Sequence, residues 1–243
     1  MRAEWTSDGD HPSVEGYRRL GELAFRLQLL GTLLVTSGDF SAAEAALREA
    51  ISVGSTEEMR ITAQSRLASC LYASGETLEA ERLYHDVLAF YRRRDDTSGI
   101  AGSLNNLAVC AAAKGDPKAA LVLFRRAFGM ITMGGDARAR ANMANNVGVA
   151  SLTLGHVGDA RTWFAIALEI VHESGWHSLL PRLYANLGGA AARAGDAQSA
   201  FSFFEQAVQH ARRAGTSEGT VASAIYIGEM MCEAGALELA IEC

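Results

Sequence analysis

Six glycine-led turns recur at an almost fixed interval along the chain: Gly38-Asp39, Gly75-Glu76, Gly115-Asp116, Gly155-His156, Gly195-Asp196 and Gly235-Ala236. Successive glycines lie 37, 40, 40, 40 and 40 residues apart. Such a beat demands one supersecondary unit repeated in tandem, which buries its apolar face only by stacking on its neighbours. Other positions keep the same register. An alanine follows each glycine by five residues (Ala43, Ala80, Ala120, Ala160, Ala200, Ala240), and a large side chain follows by nine (Leu47, Tyr84, Phe124, Phe164, Phe204). Eight residues before each glycine stands Leu30, Leu67, Leu107, Val147, Leu187 or Ile227. The next residue is always small: Gly31, Ala68, Ala108, Gly148, Gly188 or Gly228.

This register describes a helical hairpin. At about 100° per residue, positions 11, 8, 7 and 4 before the glycine fall in one apolar stripe on a helix A, and the small residue lets a neighbouring helix come close. Residues 5, 9 and 12 after the glycine form the matching stripe on a helix B. The turn chemistry agrees. Glycine suits the end of helix A, Asp39, Asp116 and Asp196 suit the cap of helix B, and Pro117 stands where a missing N–H costs little. Ser55 with Glu58 reads as a capping box opening the second repeat, Asp136 as the cap of the fourth and Thr216 of the sixth. Arg92, Arg93 and Arg94 fall where a B helix ends, which suits the negative end of the helix dipole better than nucleic-acid contact. The expected organisation is an N-terminal segment, 1–16, followed by a repeat array over 17–243. Its repeats are about 17–54, 55–96, 97–135, 136–175 and 176–215, with a partial one at 216–243.

Composition narrows the function. With 49% apolar and 21% charged residues and only three prolines, the chain can build a sizeable helical core. A net charge of −6 argues against a broad nucleic-acid or anionic-lipid surface, so no nucleic-acid and no membrane partner is expected. No stretch reads as a signal peptide or a membrane span, which predicts a cytoplasmic protein. Cys70, Cys110, Cys232 and Cys243 are scattered and form no CxxC pair, so they read as free thiols. His172-Glu173 followed by His177 resembles a zinc-binding pair. The second histidine comes one residue too late, about 140° round the helix, and Gly175 intervenes. No metal, no cofactor and no catalytic constellation is expected. Only eight residues follow Gly235, so the last B helix stops short at Cys243. We expect that end to continue in a further C-terminal domain or to pack against a second copy.

The recurring segment Leu104-x-x-Leu107-Ala108 … Gly115-Asp116 … Ala120-x-x-x-Phe124-x-x-Ala127 resembles the tetratricopeptide repeat, from about Tyr17 to the C-terminus. It departs from that family's usual 34 residues and lacks the proline near the end of the repeat. The longer hairpin is similar to those of kinesin light chains, quorum-peptide regulators and actinobacterial antibiotic regulators. The resemblance implies an all-α fold, a right-handed superhelical solenoid of antiparallel helix pairs, with helix A lining a concave groove. Positions 13, 9, 6 and 2 before each glycine would face it. There Asn106, Asn146 and Asn186 occupy one column, with Asn105 and Asn145 beside two of them and Asn142, Arg66, Arg182 and Arg193 on the same face. An amide offers donors and an acceptor to a peptide backbone, and the arginines suit an acidic residue or a terminal carboxylate. The competing role for these asparagines is a bond to an adjoining helix that fixes repeat packing. Phe25 and Leu29 are expected under the N-terminal segment that contains Trp5. The function expected is a scaffold binding a peptide or protein segment. Alternatives are the peptide-sensing region of a larger regulator and, weakly, an RNA-binding helical repeat.

Overall fold

The structure, a computed structural model, describes residues 14–131 and 136–214. The expectations for Trp5, Thr216, Cys232, Cys243 and the partial last repeat lie outside the described residues. Every regular element among those described is helical. They are α1 (Val14–Ser37), α2 (Phe40–Val53), α3 (Glu57–Ala73), α4 (Thr77–Arg93), α5 (Thr97–Ala113), α6 (Pro117–Met130), α7 (Ala137–Thr153), α8 (Val157–Ser174), α9 (Leu180–Arg193) and α10 (Ala197–Ala214). A 3-10 turn at His177–Leu179 precedes α9. The chain forms two compact units that divide after Lys114.

The turn glycines do what their register requires. Gly38, Gly75, Gly115, Gly155 and Gly195 all have φ between 78° and 95°, a region that a side chain makes costly. Beside them the helix end is closed by paired backbone bonds. Gly38 N–H donates to Val35 C=O and Asp39 N–H to Leu34 C=O, and the pattern returns at Gly75, Gly155 and Gly195, as expected where glycine ends a helix. The side chains of Asp39, Asp116 and Asp196 then accept from the N–H of Ala42, Ala119 and Ser199, capping α2, α6 and α10.

In the first unit, α1 to α5 pack consecutively, and α1 also touches α3. Two sequence expectations need correcting here. Thr56, not Ser55, caps α3: its hydroxyl accepts from Met59 N–H, while the Ser55 hydroxyl lies against Met59 Sδ. Leu30, expected in the core stripe, is 47% exposed, whereas Leu67 and Leu107 at the same register are buried. The B helix of a preceding hairpin covers that position later in the chain, and no described hairpin precedes α1. The arginine run closes α4 as its sequence implied, through specific partners. Arg93 pairs with Glu57 and Arg94 with Glu58, and both guanidinium groups lie over the Phe90 ring. Cys70 and Cys110 are free and buried, and burial pushes both thiols upward, which makes them packing groups rather than nucleophiles.

In the second unit, α6 to α10 pack consecutively, and α7 also touches α9. Its core joins Leu152, Phe164, Ile170, Val171, Leu180, Leu183 and Leu187, with Trp163 and Trp176 packed against it. The hairpins close through a knob and a hole. A Cβ on Gly148 would lie 2.4 Å from the Phe164 ring, and one on Gly188 would lie 2.5 Å from the Phe204 ring. The small position of helix A is therefore the socket for the aromatic of helix B.

Candidate functional site

The A helices of these hairpins are α1, α3, α5, α7 and α9, and the face away from the hairpin core carries the polar residues singled out by sequence. In the first unit, Arg66 on α3 donates from Nη1 to the Thr32 hydroxyl on α1 at 2.5 Å. Its buried Nε has no hydrogen-bond partner. On α5, Asn105 Nδ2 donates to Asn106 Oδ1 at 3.3 Å, and both residues are half-buried.

The second unit gathers more of the face. Arg182 on α9 donates from Nη2 to Asn142 Oδ1 on α7 at 2.5 Å. Four residues on, Asn186 Nδ2 donates to Asn145 Oδ1 at 2.8 Å. Near the far end of α9, Arg193 donates from Nη1 to the Leu152 carbonyl at 2.7 Å, satisfying an acceptor in the last turn of α7. Three side chains of α9 thus bind α7 along its length. Exposure separates them into two sets. Asn145 is 2% exposed and Asn186 8%, so their bond is a buried interhelical one. Asn142 and Asn146 are half-buried, and Arg182 and Arg193 are exposed. Even at this rim, desolvation by neighbouring atoms pushes the Arg182 pKa below its usual value.

The column of three asparagines is therefore not uniform. Asn186 has turned into packing, with Asn145 as its partner, while Asn106 and Asn146 keep part of their surface accessible. The spacing held a clue: Asn145 and Asn186 are 41 residues apart, one beat plus one. A second grouping escaped the sequence altogether. His172, His177 and His210 line one pocket of the second unit.

The chemistry on the helix A face is hydrogen bonding and charge. Amides present both donors and acceptors, and guanidinium groups add cationic donors, which suits a polar, extended, partly anionic segment. Among the described residues no group of three or more His, Cys, Asp or Glu is placed to hold a metal ion. No described helix is long and apolar enough to cross a membrane.

Comparison with known proteins agrees with this architecture. Tetratricopeptide-repeat profiles match residues 26–53 and 59–133. No curated protein sequence matches significantly. Among solved structures the chain is similar to BtubC (BKLC) from P. vanneervenii, with 23% identity, coverage of 83% of this chain and 88% of that one, and a TM-score of 0.69. It is also similar to a Rap protein complexed with competence and sporulation factor, at 14% identity, 88% and 67% coverage and a TM-score of 0.71. PlcR of Bacillus thuringiensis, in complex with the peptide PapR7 and DNA, aligns at 12% identity, 83% and 74% coverage and a TM-score of 0.70. At these identities the structural likeness is one of fold. Repeat register, paired helices and sequence profiles converge, and the chain is a tetratricopeptide-repeat protein of the 40-residue, long-helix kind.

Proposed function

We propose that this chain is a non-catalytic interaction scaffold that binds an extended peptide or protein segment along its helix A face and needs no cofactor. The observation that carries this reading is the split within the second unit. A buried pair, Asn145 and Asn186, braces α7 against α9, while Asn142, Asn146, Arg182 and Arg193 stand at the accessible surface above the brace. Rigid backbone beneath and accessible amides above are what backbone recognition requires, because a preorganised reader loses little entropy on binding. Asn105, Asn106 and Arg66 continue the same register in the first unit. The guanidinium groups favour a ligand with an acidic side chain or a free carboxylate. The Rap and PlcR structures, each solved with a peptide, support a peptide ligand.

A second reading makes the chain the peptide-sensing part of a larger cytoplasmic regulator. PlcR, of similar fold, is complexed with both a peptide and DNA, which favours it. In that case nucleic-acid contact belongs to another domain, since the net charge of −6 gives this chain no basic surplus.

The test is selection from a display library of short random peptides with free C-termini. Enriched peptides carrying carboxylates are expected. Binding should weaken at least about tenfold when Asn106, Asn142 and Asn146 are all changed to alanine, the loss of one to two good hydrogen bonds. A library that yields no binder, or a triple variant that binds unchanged, would remove the proposal.

A further inference from the structure

A pocket of about 580 Å³ opens in the second unit where α8 and α10 end and the 3-10 turn leads into α9. Among the described residues its wall includes His172, His177, Ser178, Leu180, His210 and Arg213. The sequence sets His172 and His177 on opposite sides of a continuous helix. The helix is not continuous: Gly175 adopts φ 69°, α8 stops, and the reversed chain returns His177 to within 6.4 Å of His172, centroid to centroid. His210 reaches the pocket from α10, its ring stacked on Tyr184 at 5.3 Å and 12°. That stack fixes the ring plane.

No carboxylate is found among the described residues of the wall. The groups that act on His210 are Arg213 on its own helix, His177 from the turn, His172 from α8, and the stacked phenol of Tyr184 on α9. Burial first, then the three cationic neighbours, push the His210 pKa below the usual histidine value. The pocket thus gathers four nitrogen-bearing groups and one hydroxyl, with an apolar wall at Leu180, and holds no charge to balance them.

We propose that this pocket binds a phosphate group, inorganic or carried by a small monoester, with Arg213 and the three histidines as its donors. Donors converging from separate elements suit a tetrahedral dianion, which offers several acceptor oxygens, better than a planar carboxylate. A volume of this size exceeds a bare phosphate and leaves room for an organic substituent against Leu180. The site is distinct from the helix A face and does not depend on the peptide proposal. Its occupancy falls as pH rises, because the histidines lose their protons while the phosphate keeps its charge.

Histidine-ring NMR on the full chain at constant ionic strength tests this, with inorganic phosphate and phenyl phosphate as separate probes. At pH 6 either probe should shift the His172, His177 and His210 signals saturably and leave His85 and His156 in place. Affinity should fall about tenfold by pH 8 as the histidines discharge, and about tenfold in Arg213→Gln, whose exposed side chain is not needed for folding. Tighter binding of phenyl phosphate would identify a monoester as the ligand, and equal binding would identify the bare anion. Shifts that never saturate, equal movement of His85 and His156, or undiminished affinity in both Arg213→Gln and His172→Gln would overturn the proposal. So would shifts produced by zinc alone and abolished by a chelator.

Discussion

Replacing Asn186 by alanine separates bracing from ligand reading more sharply than any other change in the chain. Asn186 donates to Asn145 Oδ1 at 2.8 Å, and the two residues are 8% and 2% exposed. Truncation leaves a buried amide oxygen without its interhelical donor, which costs about 1–3 kcal/mol because water does not replace the lost partner. The remaining Asn145 bond, from Nδ2 to Asn146 Oδ1, is long at 3.4 Å and supplies no acceptor satisfaction. Asn145→Ala should cost a similar amount. The double variant should cost less than the sum by about 1 kcal/mol, since removing both partners orphans neither.

Urea unfolding followed by tryptophan fluorescence makes the measurement. Trp163 and Trp176 both pack on the core of the second unit, and a Trp5→Phe background removes the only other tryptophan. With a urea slope of about 2 kcal/mol per M, a loss of about 2 kcal/mol moves the midpoint by about 1 M. An unchanged midpoint for Asn186→Ala, together with lost peptide binding, would refute the bracing role. It would restore all three asparagines to one ligand-facing ladder.

Further substitutions test the packing and the titration. Gly148→Ala brings a Cβ to 2.4 Å from the Phe164 ring, so overpacking of about 1–3 kcal/mol should outweigh the helix-propensity gain of about 0.5–1 kcal/mol and lower the melting temperature. Gly102→Ala on α5 meets nothing within 4 Å and should raise stability by about 0.5–1 kcal/mol in the same assay. Tyr84 is 4% exposed, and burial pushes its pKa up to about 12, although its hydroxyl shares a 2.8 Å hydrogen bond with Ser69. An unfolded phenol titrates near 10, so above that pH the unfolded chain binds fewer protons than the folded one. Stability should therefore fall between about pH 10 and 12, by up to about 2–3 kcal/mol. Tyr84→Phe should flatten this loss in denaturant midpoints measured across that range, and an identical slope in the variant would count against the burial argument. His210 titrates low in the folded state, so acidification below about pH 6.5 should destabilise the second unit. Added phosphate should reverse that loss at pH 6, and His210→Gln should show neither effect.

What could be read from the sequence was whatever one turn of chain decides locally. Glycines at positive φ, aspartate caps and the small residue facing a large one depend on neighbours within a single hairpin, and the 40-residue beat repeats them. Leu30 failed because its burial belongs to the hairpin before it, which the repeat pattern presumes and the described chain does not supply. Ser55 failed by one residue because a serine and a threonine stand side by side, and only backbone geometry decides which one caps. The histidine pocket was hidden because its members come from three elements and meet only after Gly175 reverses the chain.

The asparagines show a subtler limit. Repeat alignment compares residues at equal register, so it pairs Asn146 with Asn186. Contacts between α7 and α9 follow helix geometry instead and join residues 40 or 41 apart: Asn142 with Arg182, Asn145 with Asn186, Leu152 with Arg193. In an Asn-Asn dipeptide on a helix the two side chains diverge by about 100°, so one can turn to a neighbouring helix while the other faces outward. Asn145 and Asn146 divide in this way. Asn105 and Asn106 carry the same dipeptide and the same internal bond, at 3.3 Å against 3.4 Å, yet both stay half-buried. The local geometry is common to both pairs, and the difference lies in the amide that Asn186 supplies. The dipeptide, rather than the column, is then the unit that joins packing to recognition. Asn145 and Asn146 should accordingly respond to mutation in opposite ways, the first in stability and the second in binding.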